Sequence, residues 1–357
     1  MGERARLVFV FAGAGSLVRL PVFENIMSTY PSADIIGCSA AGEIIGSDIL
    51  DNSVTASAIS FDNSIIKTVR IRKGEMRSGR EIGETLASRF DHSGLVHIMI
   101  FADGMSVNGA EMVTAMWESL PYGVAVTGGL ATGGIDSTKT RVFCRGDFDG
   151  RTIAAAVGFY GDRLKVGYGS RSGWSPFGPP MVVTRSEGNV IYELDGRPAL
   201  DVYKKYLGDM AAGLPASGSL IPLSLREENA DSESTVSAIA VDHEIGAVAF
   251  SGAAPEGSVA RLMKASPESL VDAAEEAARE SVAVFGPPDF ALLAGGVGRR
   301  AVLKHRTEEE IEAAGAVFGE RAALAGFYSC GEISPASRFS RYEVKSQTMS
   351  VTTFTEM

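Results

Sequence analysis

The chain has 357 residues, is 45% hydrophobic and 22% charged, and sets 33 Lys plus Arg against 44 Asp plus Glu, a net charge of −11. That length predicts two domains or one large duplicated one, and the acidic balance argues against nucleic acid and anionic membranes as partners. Cys38, Cys144 and Cys330 form no Cys-x-x-Cys pair or disulfide framework, and the opening apolar run is too short for a signal sequence or a span, so the chain reads as cytoplasmic.

Leu7–Gly13 is apolar throughout and ends in small residues, as a fully buried strand does. A helix over 22–29 and a second apolar strand ending at Gly37-Cys38-Ser39 follow. Residues 56–61 and 65–71 alternate around Asp62-Asn63, which predicts an antiparallel hairpin, with a helix over 79–90 behind it. The next buried strand ends in Asp103-Gly104; a helix over 109–120 leads to a strand ending at Thr127-Gly128-Gly129. Residues 153–160 and 164–169 predict a second hairpin about Gly161-Asp162. Residues 172–182, with three prolines and two aromatics, predict a rigid loop, and the polar stretch 217–234 a surface loop. A third hairpin over 237–241 and 246–250 precedes a helix over 267–285 and the strand Phe290–Gly296. Thr307 and Glu310 predict a capping box for a helix over 307–319, and a last buried strand runs out at Tyr328-Ser329-Cys330.

The order hairpin, helix, strand, helix, strand is shared by 54–134 and 236–335, and a tip reading Gly-Glu-Ile occurs twice, as Gly42-Glu43-Ile44 near the start of the chain and Gly331-Glu332-Ile333 near its end. The expected fold is therefore α/β with mixed sheets, two duplicated halves, and a ligand cleft between them. A strand that empties into small residues beside a carboxylate leaves bare backbone next to a polar anchor, as a pocket wall needs. The candidate ligand-binding residues are Cys38, Ser39, Gly42, Glu43, Asp103, Gly128, Gly129, Trp174, Cys330, Gly331 and Glu332. Glu43 and Glu332 carry the weight; the structural alternative is that each accepts backbone N–H bonds at a turn.

Enzymatic signatures are sparse. No Walker A loop, His-Glu-x-x-His or Gly-x-Ser-x-Gly elbow occurs, and Gly295-Gly296-Val297-Gly298 runs into Arg299-Arg300 where a dinucleotide fingerprint needs its third glycine. His92, His97, His243 and His305 lack metal-ligand spacing. Cys38, at a strand end before small residues, is either an activated thiol or a small packed side chain. No catalytic residue, metal or cofactor is assigned.

Five stretches in order resemble the FIST family of bacterial sensory proteins. They are 37–44 with 128–131, Gly173-Trp174-Ser175-Pro176-Phe177-Gly178-Pro179, Glu193 through Tyr203, 329–335, and Ser346-Gln347-Thr348-Met349-Ser350-Val351-Thr352. The resemblance implies a domain of N type over 1–200 and one of C type over 201–357. It further implies an input protein that binds a small ligand, amino acids among the proposed ones, and acts through a separate histidine kinase or cyclic-dinucleotide enzyme. Some relatives bind haem and sense nitric oxide, which makes haem the alternative cofactor, with His97, His243, His305, Cys38 or Cys330 as axial donor. A thiol enzyme using Cys38 is the second alternative. The chain departs from the family in reading Lys345-Ser346 where His-Asn is usual, and in placing Asp136 as the nearest acidic residue after Gly128-Gly129.

Overall fold

A computed structural model describes residues 4–16, 20–133, 139–145, 147–148, 150–227, 233–335 and 340–357. Asp136 lies outside them, as does part of the stretch 217–234. The chain opens with β1 (Leu7–Gly13), α1 (Leu20–Thr29) and β2 (Asp34–Ala40), then β3 (Glu43–Ile45), β4 (Asp48–Leu50), β5 (Val54–Ile59) and β6 (Ile65–Arg72). It continues through α2 (Gly79–Ser88), β7 (Leu95–Asp103), α3 (Gly109–Ser119), β8 (Ala125–Ala131), β9 (Val142–Cys144), β10 (Thr152–Tyr160) and β11 (Leu164–Arg171). Next come β12 (Ser175–Glu187), β13 (Val190–Leu194), β14 (Arg197–Pro198), α4 (Ala199–Leu207), β15 (Leu223–Arg226), β16 (Ser234–Val236), β17 (Ala238–Asp242), β18 (Ala247–Phe250) and β19 (Val259–Lys264). The last stretch is α5 (Pro267–Val282), β20 (Phe290–Gly296), α6 (Val297–Leu303), α7 (Thr307–Phe318), β21 (Ala323–Ser329), β22 (Gly331–Pro335), β23 (Tyr342–Lys345) and β24 (Met349–Glu356). No described helix is long and apolar enough to cross a membrane.

The mixed-sheet α/β class expected from the sequence is the one found. Its recurring unit among the described residues is a strand, a helical crossover and a parallel strand, and it occurs three times: β1 with β2, β7 with β8, β20 with β21. Each pair sits inside its own sheet, in the orders β5-β1-β2-β9, β6-β10-β7-β8-β22-β23 and β11-β24-β20-β21-β3-β4. The strands outside each pair include some lent by a neighbour. After β2 the chain adds β3 and β4 to β21; after β21 it adds β22 and β23 to β8; after β8 it adds β9 to β2. The loan is cyclic, so no unit closes its sheet alone. A fourth sheet, β16-β15-β19-β12-β13-β18-β17 with β14 on β13, packs around α4.

The inner faces of the three sheets meet in one core. Phe11 stacks on Phe327 at 4.6 Å, Phe9 on Phe290 at 5.9 Å, and Phe101 stands edge-on to Phe9, Phe11 and Phe327. Rings from β1, β7, β20 and β21 thus lock the units together, each pair worth about 0.5–1.5 kcal/mol beyond the area it buries. The outer faces are covered by helices: Phe23 of α1 on the first sheet, Ile82 and Met112 of α2 and α3 on the second, Ala274 and Ile311 of α5 and α7 on the third.

Several sequence expectations are corrected. The alternating segments 56–61 and 65–71 do not pair: β5 joins β1 while β6 joins β10. Segments 153–160 and 164–169 part likewise, β10 to β7 and β11 to β24. The hairpin of β17 and β18 does form. Residues 172–182 are mostly strand, because Pro179 and Pro180 fall in the irregularity between Phe177 and Met181, where β12 needs no donor toward β19. Thr307 and Glu310 make no capping box. The Glu310 carboxylate instead takes Nε and Nη2 of the fully buried Arg299, at 2.8 and 2.6 Å, and the hydroxyl of Tyr328 at 2.6 Å.

Candidate functional site at the strand tips

Each parallel pair carries a glycine at the middle of its second strand. At Gly37, Gly128 and Gly326 a Cβ would stand 1.9, 1.9 and 2.1 Å from the carbonyl oxygens of Val10, Ile100 and Leu293. Only glycine fits at these positions. Four residues beyond each of these glycines the tips are tied in a ring. Ala41 N–H donates to Tyr328 O (2.9 Å), Thr132 N–H to Ser39 O (3.1 Å), and Cys330 N–H to Leu130 O (3.4 Å).

One residue past each close-approach glycine, the lent strand places its own side chain opposite: Glu43 against Phe327, Glu332 against Gly129, Val142 against Cys38. Two of the three equivalent positions therefore carry a carboxylate, and both are fully buried. Glu332 is closed. Its Oε1 accepts from Ser329 Oγ (2.7 Å), and its Oε2 accepts from Thr348 N–H and Thr348 Oγ, each at 2.9 Å. Burial nevertheless pushes the Glu332 carboxyl up to about 7.

Glu43 is built the same way and left open. Its Oε2 accepts from Ser53 N–H (2.9 Å) and Ser53 Oγ (2.8 Å), as Glu332 does from Thr348, but Oε1 has no partner among the described residues. That oxygen lies beside Gly13, where a Cβ would stand 3.2 Å from it. Burial raises the Glu43 carboxyl, and the Ser53 bonds and the nearby Arg300 pull the other way. Arg300 reaches over the Tyr328 ring, 5.4 Å from its centroid, and donates to the Asp51 carboxylate at 2.8 and 3.1 Å and to Ala41 O. Its Nε is buried without a partner among the described residues. Asn52, at a positive φ of 51°, accepts Gly15 N–H on Oδ1 (3.2 Å) and fixes the tip of β1 beside the carboxylate. Gln347 repeats this placement at φ 65° before Thr348. There the amide donates to Ser237 Oγ (2.8 Å), and the backbone carbonyl accepts from Trp174 Nε1 (3.1 Å) and Arg299.

The other sequence candidates are placed as follows. Ser39 Oγ accepts Arg141 N–H at 3.0 Å. Gly42 leaves room for the Arg300 guanidinium, 2.7 Å from a Cβ there. Asp103 accepts from Met105 N–H (3.0 Å), Ser106 Oγ (2.8 Å) and Thr140 Oγ1. Gly129 and Gly331 lie in the β8–β22 pairing, and Trp174 is held on Gln347 and packs with Met263, Leu270 and Leu303. Cys330 Sγ lies 3.4 Å from Ala131 O, and burial pushes its thiol up to about 12. Cys38 is wholly buried, and burial first, then Cys330, raise its thiol well above the ordinary range, opposite to the shift an activated thiol requires. His97 is buried with Nε2 on Thr127, and Asp242 orders the turn that carries His243.

Sequence reasoning found both carboxylates and passed over Asp51, Asn52, Ser53 and Arg300. A signal was present: Asp51-Asn52-Ser53-Val54-Thr55 and Ser346-Gln347-Thr348-Met349-Ser350 each set an amide and a hydroxyl before an apolar strand. Arg300 was visible only as the residue that spoils a glycine fingerprint.

The FIST N domain model matches residues 6–197 and the FIST C domain model residues 199–335. An uncharacterized protein of Mycobacterium tuberculosis is 28% identical over 340 residues, spanning 87% of this chain and 82% of the relative. An uncharacterized protein of Methanocaldococcus jannaschii is 24% identical over 197 residues, 52% of this chain and 37% of the relative. Among solved structures, chorismatase aligns over 99% of this chain and 94% of its own with TM-score 0.35 and 10% identity. A cyanuric acid hydrolase from A. caulinodans aligns over 82% and 99% with TM-score 0.21 and 11% identity.

Proposed function

Because the chain belongs to the FIST family, whose domains are sensory domains of signal transduction, we propose that it is a receptor for a small polar metabolite bound at the open tip around Glu43. The observation that carries this reading is the orphan Oε1 of Glu43, beside a copy of the same motif in which every carboxylate oxygen is satisfied. An unpaired buried acceptor costs about 1–3 kcal/mol, which a ligand donor recovers. An ammonium or hydroxyl group is the fitting donor, and free amino acids carry the first. The reading assigns no catalytic step. The signal passes to a separate protein, such as a histidine kinase or a cyclic-dinucleotide enzyme, through the ring of backbone bonds that joins the Glu43 tip to the other two.

The test is a thermal-shift panel of amino acids and small hydroxy acids. A true ligand at a hundred times its dissociation constant adds about 2.7 kcal/mol to stability. Glu43→Gln keeps an oxygen for Ser53 but turns an amide N–H₂ toward the ligand donor, so it abolishes the shift. Glu332→Gln leaves the shift intact. A panel without any stabilising member, or an undiminished shift in Glu43→Gln, overturns the reading.

A further inference from the structure

The opposite end of the strand bundle holds a feature that the tips do not explain. A crevice of about 250 Å³ opens where the starts of β7 and β8 meet the start of β11; His97, Leu164, Val166 and Phe285 line it, with the charged Asp162 and Lys165 also in its wall. It adjoins a groove of about 420 Å³ between β11 and the end of α5, the two sharing Val166, Tyr168 and Phe285.

His97 belongs to a hydrogen-bonded chain across two sheets. Thr352 Oγ donates to Thr127 Oγ at 2.8 Å, and Thr127 Oγ lies 2.8 Å from His97 Nε2; the arrangement that uses every hydroxyl proton of this chain has Thr127 donating to Nε2. The ring proton of a neutral imidazole then sits on Nδ1. That N–H is buried and has no acceptor among the described residues. The ring packs near Phe159 and Phe354, at centroid distances of 6.2 and 6.1 Å, and is 1% exposed. Burial holds the imidazole neutral, pushed down to about 3. A buried neutral donor repays a neutral acceptor; a charged one loses more hydration than a single such bond returns.

We infer that this crevice is a second ligand site, independent of the tip, for a small neutral molecule with an apolar body and a carbonyl acceptor that takes the Nδ1–H of His97. The apolar side chains of Leu164, Val166 and Phe285 accept the body, and the Nδ1–H tautomer selects the acceptor.

The experiment uses the full chain with ¹⁵N-labelled histidine and three probes of similar body: acetophenone, toluene and benzoate. Acetophenone is expected to shift the His97 imidazole resonances saturably, with at least tenfold higher affinity than toluene or benzoate. His97→Phe, which keeps the ring and removes the donor, is expected to erase that preference. Should His97→Phe fail to fold, the ranking of the three probes on the native chain still decides. Equal affinity for acetophenone and toluene, preference for benzoate, or His97 resonances unmoved up to the solubility limit overturns the inference.

Discussion

Glu332 and Glu43 stand at one register position in two sheets, yet only Glu332 has all its acceptors filled. Each carboxylate accepts a backbone N–H from the residue before the next strand, and that shared geometry was legible in the repeated Gly-Glu-Ile. What was not legible is which oxygen stays open, since that depends on Ser329 in one copy and on nothing in the other. The Glu332 carboxyl also makes a pH prediction. It sits at about 7 in the folded chain against an ordinary 4.5, so the folded state binds that proton more tightly. Its contribution is whole below about 4.5 and is lost as pH rises through 7. Glu332→Gln mimics the protonated acid at every pH. The stability of the variant relative to the native chain is therefore expected to rise by roughly 3 kcal/mol between pH 4.5 and 8, read by urea denaturation. A difference that does not change with pH removes Glu332 from the titration.

At the scale of elements, buried strands and their helices were readable because apolar runs and helical spacing are local. Partners were not. Alternation in 65–71 reports one covered face, but whether β6 meets β5 or β10 is decided by residues far along the chain. The close-approach glycines give the sharpest test of the strand pairs. Gly128→Ala and Gly326→Ala force a methyl into a neighbouring carbonyl and are expected to cost about 3 kcal/mol or more. Gly94→Ala, with a positive φ of 72° but open space around it, should cost about 1 kcal/mol. Equal melting losses in all three would show that the pairs relax around an added methyl.

For the whole molecule, the loan of strands between units was not legible in the sequence, because no local pattern encodes which sheet receives a strand. Position 200 falls inside α4, and the sheet around α4 draws strands from both sides of it. The family match to the C domain ends at 335, whereas β24, which lies between β11 and β20, runs over Met349–Glu356. Fragments 1–198 and 199–357 should therefore each be insoluble when expressed alone, and co-expression should restore a soluble complex, read by size-exclusion chromatography. A soluble 1–198 fragment with cooperative melting would show that the loaned strands are dispensable.

The place of β24 also sets a timetable for biogenesis. It is made after both of its neighbours, and it is an interior strand, with β20 on one side and β11 on the other. Until β24 has emerged, the nascent polypeptide carries both of those strands with an unfilled gap between them. Completion of that sheet consequently waits for residues 349–356, and a ribosome stalled before Met349 would leave a polypeptide with two unpaired strand edges, prone to capture by chaperones or to aggregation.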